Sequence, residues 1–112
     1  MKEGGDVVIA LLPQADGSLK RRPAIILRLM PPFGDFLLCG VSMQLHQKVE
    51  GFDEIISTAD ADFAVSGLKA PSLIRLGFLI VYSRKDIVGI AGSVSTERHK
   101  RLLQNLSDYL IK

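Results

Sequence analysis

The stretch Gly5-Asp6-Val7-Val8-Ile9-Ala10-Leu11-Leu12-Pro13-Gln14-Ala15-Asp16-Gly17-Ser18-Leu19-Lys20-Arg21-Arg22-Pro23-Ala24-Ile25-Ile26-Leu27-Arg28 decides the fold. Two apolar runs stand in it, Val7 to Leu12 and Ala24 to Leu27, both rich in β-branched residues. Branched side chains suit a pleated surface and lose rotamer freedom in a helix, so both runs read as strands. Pro13 cannot donate to a ladder and should end the first strand. Asp16-Gly17 signals a turn, because glycine accepts positive φ at little cost. Lys20-Arg21-Arg22 follows as a polar lip, and Pro23 holds Arg22 extended at the mouth of the second strand. The stretch is a hairpin with a cation at its base.

At 112 residues the chain, 1-112, is expected to be one domain. Its net charge is +2, so attraction to nucleic acid has to come from local clusters. Two exist, Lys20 to Arg22 and Arg98 to Arg101. A basic trio is more often solvated surface than a binding site. The single cysteine, Cys39, lies in an apolar run and permits no internal disulfide, which suits a reducing compartment. It reads as core. The opening residues are polar and Gly-rich, unlike a signal segment, and no run approaches a membrane span. A soluble, cytoplasmic protein is expected.

Beyond the hairpin, Pro31 to Asp35 breaks the chain and Phe36 to Val41 reads as a third strand. A short strand is expected within Gly51 to Ile56. Ser57 or Thr58 is expected to cap a short helix from Ala59, with Asp60 and Asp62 near its positive end and Gly67 closing it. Leu73 to Tyr82 is strand-like, with Gly77 marking a bulge or close approach. Ser83 to Asp86 is a turn and Ile87 to Ala91 a last strand. Leu102, Leu103, Leu106, Tyr109 and Leu110 then recur at helical spacing, with Ser95 as the cap. Short strands followed by one long helix predict a mainly β protein, a small antiparallel barrel carrying a short helix and a C-terminal helix.

No metal site is expected: His46, His99 and Cys39 have no ligand spacing, and no carboxylate-dense calcium loop exists. No glycine-rich phosphate loop precedes a helix, so no cofactor is expected. What remains is a set of polar groups at strand ends, Arg22, Ser42 and Arg75. Guanidinium pairs beside a hydroxyl suit a phosphodiester. The ordinary reading is an outward strand residue for Arg75 and a turn former for Ser42.

Taken together, several segments resemble the MazF/PemK (Kid) family of toxin–antitoxin toxins. The hairpin with Lys20-Arg21-Arg22-Pro23-Ala24 is similar to the family's opening. Val41-Ser42-Met43-Gln44 resembles its hydrophobic-Thr-Ser-Gln element, and Ser66 to Arg75 its Gly-Leu-x-x-Pro-Ser-x-x-Arg element. Val88-Gly89 to Ser95, followed by a helix, is similar to its ending. The resemblance implies an SH3-like barrel that forms a homodimer and cleaves single-stranded RNA without a metal. It also implies a cognate antitoxin, through whose complex DNA is bound. Catalytic roles would fall to Arg22, Ser42 and Arg75, and RNA contacts to Asp16, Lys20, Arg21, Gln44 and His46. The chain departs from the pattern at Gly77, where several relatives carry an acid, and at Ser42, where threonine is commoner. The alternative is a non-cutting module on the same barrel that binds RNA or a protein, as gyrase-poisoning toxins do. For base stacking, Phe33 and Phe52 stand in expected loops, and either can equally pack on the barrel.

Overall fold

In the computed structural model, which describes residues 3–112, six strands form one antiparallel sheet in the order β4-β5-β3-β2-β1-β6. The strands are β1 Asp6–Pro13, β2 Leu19–Met30, β3 Asp35–Ser42, β4 Glu54–Ile56, β5 Ser72–Tyr82 and β6 Gly89–Ser93. Two helices complete the fold, α1 Phe63–Ser66 and α2 Thr96–Leu110. The sheet curls into a half-barrel.

Both faces of the sheet are apolar, which is why its central strands read as continuous rather than alternating runs. On one face Val7, Ile25, Leu27, Cys39, Ile74 and Leu76 pack against Val94, Leu102 and Leu106 of the α2 region. On the other, Val8, Ala10, Ala24, Ile26 and Leu38 are enclosed by the curl, with Phe78, Ile80, Tyr82 and Ile87 closing over them. Burying a leucine such as Leu102 completely is worth about 2–3 kcal/mol.

The edge strands β4 and β6 have no ladder between them; α1 lies against β6 instead. The approach is so close that a Cβ at Gly92 would clash with the Val65 carbonyl oxygen. Gly67, at φ 74°, ends α1 in the left-handed conformation the sequence called for.

Three register shifts shape the sheet. One lies between Val7 and Val8 of β1, facing β6, and a second between Ile26 and Arg28 of β2. The second leaves Leu27 out of the pairing, and His99 of α2 donates from Nε2 to its carbonyl at 2.8 Å. The third is the largest: Cys39 pairs with Leu79, while its neighbour Gly40 pairs with Arg75. Leu76, Gly77 and Phe78 therefore bulge from β5, as Gly77 suggested.

Several expectations need correcting. β2 begins at Leu19, so the basic trio stands on a strand and not in the loop. The short helix starts at Phe63 rather than Ala59, because the Asp60 carboxylate accepts from the Ser57 N–H at 2.8 Å and holds a turn there. Neither Ser57 nor Thr58 caps it. The last strand runs from Gly89 to Ser93, two residues later than expected. Ser95 does cap α2, accepting from the Arg98 N–H at 3.1 Å. Tyr109 and Leu110, expected on the apolar stripe, are exposed. Tyr109 instead meets Phe52, with ring centroids 4.8 Å apart.

Candidate nucleic-acid interface

The site is assembled by strand register. Val8 and Gly40 both pair with Ala24, and Arg75 pairs with Gly40. Directly opposed residues share a face, so Arg75 belongs to the face that α2 does not cover. Arg22 and Ser42 lie two residues beyond the Ala24–Gly40 rung, on adjacent strands and at the same end of the sheet. A step of two residues keeps the face. Arg22, Ser42 and Arg75 thus converge on one rim of the half-barrel, beside the second apolar cluster.

Each side chain is available in a different degree. Arg22 is exposed, and Arg75 and Ser42 are half-buried. Among the described residues neither arginine has an ion-pair partner, which leaves both guanidinium groups open to an anion. Ser42 Oγ accepts from the Gln44 N–H at 3.0 Å, fixing the turn while its own proton stays free to donate. The Phe78 ring lies across Gly40, where a Cβ would meet it at 3.1 Å. A side chain at Gly40 would therefore press on that ring, next to Arg75.

The remaining residues divide. Lys20 shares the Arg22 face, two residues up the strand, whereas Arg21 points to the other side. Gln44 and His46 are exposed on the short 3-10 turn just after Ser42. Asp16 stands at the far tip of the hairpin. Leu19 to Arg22 alone spans roughly 10 Å at about 3.3 Å per residue, so Asp16 is remote from the rim. Its carboxylate accepts from the Ser18 hydroxyl at 2.6 Å and from the Ser18 N–H at 2.9 Å. Those bonds hold its carboxyl below the usual 3.8. Phe33 is exposed, but on the β2–β3 turn at the opposite end of the sheet. Phe52 is packed against the core.

The second basic cluster is something else. Arg98 is only 5% exposed and is surrounded by carboxylates: Asp62 at 2.9 Å, Glu54 at 2.8 Å and Asp60 at 3.2 Å. Arg101 pairs with Glu54 at 2.9 Å. These cations tie α2 to β4 and to the turn before α1, and they are not free for phosphate. No separation in sequence marks this; the partners are 36 and 44 residues away.

Cys39 is fully buried, and burial pushes its thiol up to about 12, which rules it out as a nucleophile at neutral pH. Among the described residues no three His, Cys, Asp or Glu side chains form a metal-holding group. No described helix is long and apolar enough to cross a membrane.

A curled antiparallel half-barrel backed by one helix, with Arg22 and Arg75 at the β2–β3–β5 end, defines the class of fold. By sequence, no family model and no curated protein matches the chain. By structure, it is similar to the Mycobacterium tuberculosis toxin MazF-mt6, at 17% identity and a TM-score of 0.69. The match covers 95% of this chain and 96% of that one. The chain has the MazF-like fold.

Proposed function

We propose that this protein is an endoribonuclease of the MazF type, a toxin that cleaves single-stranded RNA, messenger RNA included, at selected sequences without a metal. Its cleavage of messages would inhibit translation in the cytoplasm. It would act as a homodimer and be held in check by a cognate antitoxin, whose complex with it would bind DNA. The observation that carries the reading is the meeting of Arg22, Ser42 and Arg75 on one rim of this particular fold.

The chemistry follows from the groups present. The ribose 2′-oxygen attacks the adjacent phosphorus, and the bond from phosphorus to the 5′-oxygen breaks. The products are a cyclic phosphate and a 5′-hydroxyl end; the 2′-proton is lost and the 5′-oxygen gains one. Negative charge builds on the phosphorane oxygens during this step. Arg22 and Arg75 are suited to bind them, and Ser42 to donate a hydrogen bond to the scissile phosphate. One preorganised donor of this kind is worth about 3 kcal/mol, or roughly a hundredfold in rate. Lys20, Gln44 and His46 flank the rim and are assigned to RNA contacts, with Arg21 and Asp16 further out on the hairpin.

A second reading is favoured by one observation. Gly77, in the bulge next to Arg75, offers no acid for proton transfer, which suits a module that binds without cutting. Incubation of a long RNA with the protein in EDTA separates the two. Discrete cuts with 5′-hydroxyl ends, lost in Arg22→Ala while the fold is unchanged by circular dichroism, are expected. Intact RNA would favour the binding module, and an unchanged rate in Arg22→Ala would remove Arg22 from the site.

A further inference from the structure

Leu76 stands in neither ladder: β3 passes directly from Leu79 to Arg75 as its partners, and the β4 pairing ends at Ile74. Its N–H is not left unpaired. Asp53 Oδ1 accepts it at 3.0 Å, in a buried bond that spans 23 residues. The second oxygen, Oδ2, accepts from the Val49 N–H at 3.0 Å. Asp53 is 6% exposed, and among the described residues no cation pairs with it. A buried carboxylate devoted to two backbone donors fixes whatever those donors belong to. One donor is the peptide immediately after Arg75. The other belongs to the segment that leaves Ser42 and carries Gln44 and His46.

We propose that Asp53 is the positioning residue of the rim, holding Arg75 and the Gln44–His46 segment in one fixed relation. The proposal rests on the reading of that rim as the RNA-cleaving site. Two acceptors are needed for it, and only a carboxylate supplies both. An asparagine of the same shape offers one oxygen and turns an NH2 group toward the other N–H donor. Leu76 itself packs in the core beneath α2, so the carboxylate links the core to the rim through a single peptide.

The test is a double-mutant cycle of Asp53→Asn with Arg75→Ala, measuring kcat and KM on a single-stranded RNA at a temperature where each variant is folded. Asp53→Asn alone is expected to lower kcat about tenfold or more, and amide exchange at Leu76 or Val49 is expected to rise at least tenfold. In the Arg75→Ala background the same change should cost kcat little further. An equal loss in both backgrounds, or an unchanged kcat with lowered stability, would overturn the proposal and leave Asp53 a stability residue only. Should Asp53→Asn fail to fold, Asp53→Glu, which keeps both acceptors but displaces them by a methylene, takes its place under the same criteria. Wild-type protein that neither cuts nor binds RNA overturns the underlying reading first, and the proposal with it; an active wild type with an additive cycle overturns the proposal alone.

Discussion

At Gly77 one residue separates two readings of the rim. It is exposed, its φ is not in the left-handed region, and a Cβ there would meet nothing within 4 Å. The position therefore admits a side chain without strain. An aspartate placed there would stand two residues from Arg75, where several MazF/PemK relatives carry an acid for proton transfer. Gly77→Asp is expected to leave the unfolding midpoint within the small range typical of surface changes, about 0.5 kcal/mol. Its cleavage rate should rise about tenfold or more, consistent with the contribution of a general acid or base. A rate assay on a short RNA checks this, and a rate that falls or stays level would mean that proton transfer here does not pass through that position. Ser42 shows the same economy of local structure, since its hydroxyl holds the turn into Gln44 with a lone pair and keeps its proton for a substrate.

Among the elements, α2 is held by charge as well as by its apolar stripe. Arg98 enters a nearly closed nest formed by β4, the turn before α1 and the start of α2. Its ε-nitrogen and one terminal nitrogen reach the two Asp62 oxygens at 2.9 and 3.3 Å. Removing the cation strands buried carboxylates, so Arg98→Ala is expected to cost about 3–5 kcal/mol in urea unfolding at pH 7. The same nest carries an acid dependence. Burial pushes the Asp62 carboxyl up, but hydrogen bonds from Arg98 and the Ser95 N–H, with the Arg98 charge, outweigh it and hold the group below its ordinary 3.8. A carboxyl lowered on folding contributes stability above its unfolded value and loses it as pH falls through the folded one. Wild-type stability should thus drop below about pH 4, and part of that drop should be absent in Arg98→Ala. An equally steep acid loss in both proteins would place the dependence elsewhere.

Over the whole molecule the net charge is only +2; Lys20, Arg22 and Arg75 stand without ion-pair partners among the described residues at the β2–β3–β5 end, while Arg98 and Arg101 are neutralised by carboxylates. RNA binding should accordingly be local and only moderately salt-dependent. With Lys20, Arg22 and Arg75 each meeting one phosphate, the logarithm of affinity should fall against the logarithm of salt with a slope of about −2 for a single strand. Fluorescence anisotropy with a 2′-deoxy substrate, which cannot be cut, measures it. Arg22→Ala should lower the slope by about 0.7. A slope near zero would show that the rim does not meet the backbone. The half-barrel makes this arrangement possible, because α2 and its ion pairs occupy one face and leave the other with its rim open.

The strands apart from the start of β2 and the bounds of β6, the β5 bulge, the left-handed close of α1 and the Ser95 cap were legible in the sequence. Each depends on backbone preferences or a repeat over a few residues, and such preferences act locally. Arg22, Ser42 and Arg75 were legible as candidates too, through the motifs around them, but their meeting was not. That needed the register of β2, β3 and β5, set by pairings far apart in the chain. The same holds for the cations: Lys20 to Arg22 and Arg98 to Arg101 look alike in sequence. Only the fold decided that Arg98 is desolvated among Asp62, Glu54 and Asp60 while Arg22 stays open, because charge is satisfied through space by partners the chain order does not reveal. Asp53 is the plainest case. Nothing near it in sequence marks it, and its importance arises from an N–H that lies outside both neighbouring ladders, which only the tertiary pairing decides.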